Sequence, residues 1–287
     1  MSEPAGAGGG GAGAGLTAVL SGGGAKAAAH LGALGALREA GLIPTRYVGT
    51  SMGAVIATGL AAGLSIEAVE AQLLAVGPRE IFRLDRTGLL RGIFARSLLR
   101  PEPFKHVLER LLPVSRFGEL RVPLSITATD LDTGELLVFG DGGEDAPLLD
   151  ALCASCALPL FFPPYLLGGR RCADGGLRAV VPLEVAARFS AGLVVAIDVG
   201  AGFDTVPETE GREPPALLRL HGDAQRVLMA SNTAAQHALW QCSPGRPPLL
   251  WIRPTVRRGE TFATEQLRWY VAEGDRAARA VLAARHP

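Results

Sequence analysis

A three-layer α/β/α fold, with a mostly parallel central sheet between helix layers, is what this 287-residue sequence predicts. Two observations point to it. Near the start, "LTAVL", "SGGGA" and "KAAAHLGALGALREAG" run in series, and "RYVGT" followed by "MGAVIATGLAAG" repeats the pattern. Successive strand–loop–helix units need crossover helices, which make the strands parallel. The composition agrees: 48% of residues are hydrophobic and 20% charged, which is enough to bury a sizeable core.

The elements follow in order. The opening "MSEPAGAGGGGAGAG" is a Gly/Ala tail over residues 1–15. It has neither a basic n-region nor an apolar h-region, so it does not read as a signal peptide, and its composition predicts disorder. "LTAVL" is a short buried strand, and the alanine- and leucine-rich helix after the glycine turn stops at Gly41. "RYVGT" is the second strand, and its helix ends at Gly63. "SIEAVEAQLLAV" opens on a Ser65 cap, with Glu67 in the first turn. Residues 77–121 are less regular. "PLSITATD" and "ELLVFG" are strands joined by the hairpin signal "LDTG". "PLLDALCASCALP" is a helix stopped by Pro159. "FFPPYLLGGRRCADGG" is turn-rich with one short strand, "LEVAARFSAG" a helix and "LVVAID" a buried strand. After the loop "VGAGFDTVPETEGREPP" come a long helical pattern from Ala216 to Trp240, the strand "LLWIR" and a last helix from Thr264 to Ala284. There is no internal repeat and no second domain boundary, so residues 16–287 are expected to form one domain.

Charge excludes several function classes. Lys and Arg total 28 and Asp and Glu 28. A balanced chain offers neither the basic excess of a nucleic-acid binder nor a polybasic membrane patch. Cys153, Cys156, Cys172 and Cys242 lack a disulfide-framework spacing and read as reduced thiols of a cytoplasmic protein. Cys153 and Cys156 form C-x-x-C without a matching second pair, so no metal site is expected, and buried structural thiols are the favoured reading. No apolar stretch is long enough to span a bilayer. "GLLRGIFARSLL" favours a packed irregular segment, with a lid or membrane-surface contact as its other reading. Trp240, Trp251 and Trp269 read as core residues, and Asp130 and Asp132 as turn residues.

Three motifs carry chemistry. "GTSMG", Gly49 to Gly53, is G-x-S-x-G between a strand and a helix. There a sharp turn lifts the Ser51 hydroxyl clear of the sheet, and the glycines let the backbone bend. The helix that follows favours developing negative charge at its N-terminus. "SGGGAKAAAHLG" puts Gly22, Gly23 and Gly24 before a helix, with Lys26 inside the loop. It fits an oxyanion hole or a dinucleotide loop. A dinucleotide site wants an acidic residue about twenty positions on, where this chain has "RYVGTS", so the oxyanion hole is favoured. "CADGGLRAVVPLEVA" puts Asp174 before Gly175 and Gly176, a pattern that taken alone is turn chemistry.

If Ser51 attacks an ester, some group takes its proton. A triad of Ser51, Asp174 and His221 or His237 is formally available, but both histidines lie inside a long helical pattern. His30 sits behind the glycine loop and reads as a supporting residue; His106 and His286 have no supporting pattern. Asp174 remains as a direct base, and a carboxylate works in that role where desolvation raises its pKa.

Taken together, "LSGGGAKAAAHLGALGAL", "YVGTSMGAVIATGLAAG", "ASCALPLFFPP" and "CADGGLRAVVPLEVA" resemble, in this order, the blocks of the patatin-like phospholipase family, in particular its bacterial acylesterase branch. The likeness runs from about Leu16 to Val199. It implies a patatin-like fold and a serine lipid acyl hydrolase using a Ser–Asp dyad, with Ser51 as nucleophile and Asp174 as its base. It implies that the backbone amides of Gly22, Gly23, Gly24, Ala25 and Met52 hold the oxyanion, with Lys26, Gly49, Gly53, Gly175 and Gly176 supporting the motifs, and that no cofactor or metal takes part. The expected partner is a lipid or lysophospholipid ester, with no nucleic acid. The expected place is the cytoplasm, with peripheral contact at the inner membrane surface left open. Ala27 stands where the family loop usually has a glycine, which keeps a catalytically weak scaffold or regulator in view beside an esterase of small soluble esters.

Overall fold

A computed structural model describes residues 15–81, 83–85, 97–200, 216–256 and 264–285. In chain order the elements are β1 (Leu16–Leu20), a 3-10 turn (Gly24–Ala28), α1 (Ala29–Glu39), β2 (Arg46–Thr50), α2 (Met52–Ala61), α3 (Ile66–Ala75) and α4 (Pro78–Ile81). Next are α5 (Pro101–Leu111), β3 (Leu124–Asp130), β4 (Leu136–Gly140), α6 (Leu148–Ser155), β5 (Tyr165–Leu167) and β6 (Arg170–Asp174). The chain continues with α7 (Leu183–Ala186), β7 (Leu193–Ile197), α8 (Ala216–Cys242), β8 (Leu249–Ile252) and α9 (Leu267–Ala283). The tail over residues 1–14, residues 88–96 of "GLLRGIFARSLL", most of the loop before Ala216, and His286 lie outside the described residues.

The strands form one mixed sheet of order β5-β6-β3-β2-β1-β7-β8, with β4 also paired to β3. The run β3-β2-β1-β7-β8 is parallel, as the strand–helix units predict. β4, β5 and β6 join antiparallel at one side. Alternation along the strands sorts side chains into two layers. Ala18, Leu20, Ile126, Val195 and Ile197 pack with α1, α2, α6 and α9. Val19, Val48, Val194 and Ala196 face the other way, onto α7 and Trp240 of α8. Helices therefore cover both faces.

Three local readings are corrected. Residues 77–121 hold α5, an 11-residue helix with Pro at its start and a strongly amphipathic sequence. The turn-rich stretch before Asp174 holds two strands rather than one, β5 and β6, joined at Gly168 and Gly169, both with positive φ. The helix expected over "LEVAARFSAG" is a single turn. The Ser65 cap is as expected, its hydroxyl accepting from the Ala68 N–H at 3.1 Å.

Candidate active site

The site is made where β1 and β2 end side by side. Leu20 is in register with Gly49, so the glycine turn leaves β1 beside the Ser51 turn leaving β2. Openings at the carboxyl ends of parallel strands are where α/β sheets hold ligands. Ser51 has φ 53° and ψ −130°, a strained conformation for a residue with a Cβ. Close packing makes the turn possible: a Cβ on Gly53 would lie 2.4 Å from the Ser21 carbonyl oxygen, and one on Gly49 would lie 2.6 Å from Ala54 Cα. α2 begins at Met52, so its N-terminus points at the Ser51 turn.

Asp174 reaches Ser51 through strand pairing. β4 occupies one edge of β3 from Ser125 to Thr129, so β2 and β6 must share the other. Thr50 pairs with Thr127, and Asp174 pairs with the next residue, Ala128. β2 runs parallel to β3 and β6 antiparallel, so their C-terminal ends meet head-on. Ser51 Oγ accordingly donates to Asp174 Oδ2 at 2.6 Å, although the two residues are 123 positions apart.

The carboxylate is tightly held. Its Oδ1 accepts from the Gly176 N–H at 2.7 Å. The Asp174 N–H donates to the Ala157 carbonyl at 3.0 Å, and the Asp174 carbonyl accepts from Thr129 Oγ1 at 2.9 Å. Gly175 has no room for a side chain, since a Cβ there would lie 2.6 Å from the Thr127 carbonyl oxygen. Asp174 is buried, and this burial pushes its pKa up to about 6 against the opposing effect of its hydrogen bonds from Ser51 and Gly176. The charged form is therefore costly, and the group is a stronger base than a carboxylate in water.

The glycine loop is anchored from both sides. Ser21 Oγ accepts from the Val199 N–H at 2.8 Å. The His30 imidazole donates from Nε2 to the Ser21 carbonyl at 2.9 Å. Burial lowers the His30 pKa to about 4, so the ring is neutral at ordinary pH and supports the loop as an uncharged donor. The Gly22 N–H donates to the Val180 carbonyl at 3.1 Å. All five residues whose amides are expected at an oxyanion, Gly22, Gly23, Gly24, Ala25 and Met52, line the cavity with Ser51, but the Gly22 amide is already taken. Gly24 has φ 60°, which a side chain would disfavour. Lys26 is buried in the 3-10 turn, away from the cavity lining, and Ala27 is on the lining.

Ser51 and Asp174 lie in the wall of a cavity of about 190 Å³, otherwise walled mainly by apolar side chains. Among the described residues no histidine lines it. His221 is exposed, and His237 stacks on Trp251 with ring centroids 4.2 Å apart. Asp130 serves its turn, with Oδ1 accepting from the Asp132 N–H at 2.8 Å. Cys153 and Cys156 are buried free thiols, as expected. Burial raises both thiol pKa values, and Cys156 also lines the cavity.

Two contributors went unseen in the sequence. Ser155 is fully buried, and its Oγ accepts the Ser51 N–H at 2.8 Å, holding the strained turn. Its signal was a hydroxyl in the otherwise apolar "ALCASCALP", which had to find a partner once buried. α5 supplies Phe104, Val107, Leu108 and Leu111 to the cavity wall. Its signal was the spacing of those same four residues after Pro101.

The chain has relatives. An uncharacterized NTE family protein of Mycobacterium tuberculosis is 33% identical over 180 residues, 63% of this chain and 48% of that protein. Mouse patatin-like phospholipase domain-containing protein 6 is 29% identical over 200 residues, 67% of this chain and 14% of that protein. The chain thus spans about half the length of the mycobacterial relative and a smaller part of the mouse one. Among solved structures, VipD from Legionella pneumophila superposes with a TM-score of 0.48 at 17% identity, over 95% of this chain and 67% of that one. The patatin-like phospholipase family model matches residues 18–187, from β1 through the glycine loop, the Ser51 turn and the Asp174 block to the end of α7; the chain belongs to that family.

Proposed function

We propose that this chain is a serine acyl hydrolase of lipid or lysophospholipid esters, working through a Ser51–Asp174 dyad within a single domain over residues 16–287. The observation that carries the reading is the 2.6 Å bond from Ser51 Oγ to a buried carboxylate, made in the wall of an apolar cavity. Family membership supports the lipid class. A cavity walled mainly by apolar side chains suits a hydrocarbon chain better than a small hydrophilic ester.

In the reaction, Ser51 Oγ attacks the ester carbonyl as its proton passes to Asp174 Oδ2. The carbonyl oxygen becomes an oxyanion facing the amides of Gly23, Gly24, Ala25 and Met52. One such donor is worth about 2.7–4 kcal/mol in the transition state. Collapse expels the alcohol, which takes the proton from Asp174, and leaves an acyl group on Ser51. Water then attacks, Asp174 accepts its proton and returns it to Ser51 Oγ, and the fatty acid leaves. Asp174 acts as base and then acid in each half, a role that fits a pKa of about 6.

The test is labelling with a fluorophosphonate, read by mass spectrometry. A single adduct on Ser51 is expected, lost in Ser51→Ala and greatly slowed in Asp174→Asn. Absence of an adduct on folded protein would overturn the hydrolase reading and leave a non-catalytic scaffold. Full labelling of Asp174→Asn would overturn the dyad alone.

A further inference from the structure

We infer that the length of acyl chain this protein accepts is set by an apolar partition at the inner end of its cavity, formed by Val55, Ile56, Leu73, Leu108 and Leu111; this inference rests on the acyl hydrolase reading of Ser51. The cavity holding Ser51 does not end against solid core. A second void of about 20 Å³ lies beyond it, and those five side chains are wall to both spaces. Gly59 and Val69 line the void and not the cavity. α2 carries both ends of the path, with Ser51 at its start, Val55 and Ile56 along it and Gly59 near its end. A chain esterified to Ser51 and lying along α2 therefore runs toward the partition.

Two of the five side chains can be changed without cutting the core. Ile56 and Leu108 are fully buried, but Leu73 on α3 and Leu111 on α5 are only half-buried. They come from different helices, and each lines both spaces together with Val55 and Ile56 of α2. Leu73→Ala removes part of the barrier and joins the void to the cavity. Leu111→Phe adds bulk at the same place.

Each methylene that enters the cavity is expected to raise kcat/KM about 4-fold. The gain stops where the chain meets the partition, because forcing more carbon into a packed wall costs more than it returns. Leu73→Ala is expected to move that break two or three carbons longer, a gain of about 10-fold or more for esters just past the original break. Leu111→Phe is expected to move it shorter.

The experiment measures kcat/KM for a homologous series of straight-chain p-nitrophenyl esters with the unmodified chain, Leu73→Ala and Leu111→Phe, each checked for a cooperative thermal melt. In parallel, straight-chain fatty acids are titrated onto Ser51→Ala and onto the same two variants in that background. Breaks displaced in opposite directions support the partition. A common break in all three proteins overturns it, and general loosening is overturned by the opposite sign of the Leu111→Phe shift. If no ester is cleaved but fatty-acid affinity shows the displaced breaks, the hydrolase reading fails and the partition stands.

Discussion

Replacing Asp174 by Asn is expected to stabilise the fold while abolishing turnover. Asn is the same size, and its side-chain oxygen accepts the Gly176 N–H where Asp174 Oδ1 now does at 2.7 Å. Its amide group donates to Ser51 Oγ, where Asp174 Oδ2 now accepts at 2.6 Å. What the variant loses is a buried charge. The Asp174 carboxyl titrates at about 6 in the folded chain, against an ordinary 3.8. The shift is about two units at 1.36 kcal/mol each, so the ionised group costs the fold on the order of 3 kcal/mol. The sign follows from proton binding. Between pH 4 and 6 the native state holds a proton that the unfolded chain has lost, so the stability of the unmodified protein falls as pH rises through that window. The cost is complete above about pH 6 and absent below about pH 4. Asp174→Asn does not titrate. Its advantage should be near 3 kcal/mol at pH 8, shrink as pH falls through 6, and close toward pH 4. Urea denaturation of both proteins between pH 4.5 and 8, with midpoints compared at equal slope, measures it. A variant less stable than its parent at pH 8, or a difference that does not change with pH, would refute the claim that Asp174 is held ionised against its surroundings.

Two further outcomes follow from the same geometry. Asp174 must be ionised to accept the Ser51 proton, so kcat/KM for a neutral ester should level off above pH 6 and fall about tenfold per unit below it. A profile flat across pH 5–7 would argue against Asp174 as base. Ser155→Ala leaves the Ser51 N–H buried without its acceptor, at a cost of about 1–3 kcal/mol. It also frees a strained turn, so kcat should drop with little change in KM and Ser155→Thr should recover part of the loss; an unchanged kcat would count against that positioning role.

The sheet's parallel run and the Ser51 turn were legible because both are local. Alternating strand and helix patterns, a glycine turn after β1 and G-x-S-x-G after β2 are written in stretches of five to twenty residues, where propensity and backbone sterics act directly. α5 was missed although its apolar residues have helical spacing, because prolines and arginines around it broke the pattern. Asp174 was visible only as a residue before two glycines, and its residue type alone favoured a turn; the link to Ser51 came from the likeness of several separated blocks to one family.

Tertiary structure decided the rest. No local pattern says that β6 takes over from β2 along one edge of β3, and that register is what brings Asp174 against Ser51. Nor does any pattern say that the carboxyl is buried, and burial is the main cause of its raised pKa. The Gly22 amide is committed to Val180, and the Ser51 amide to Ser155, by contacts 158 and 104 positions apart in the chain. The sequence by itself determined the local turns on which Ser51, Asp174 and the glycine loop sit. Distances, solvation and the occupied amides depend on long-range pairing, which a linear pattern does not encode.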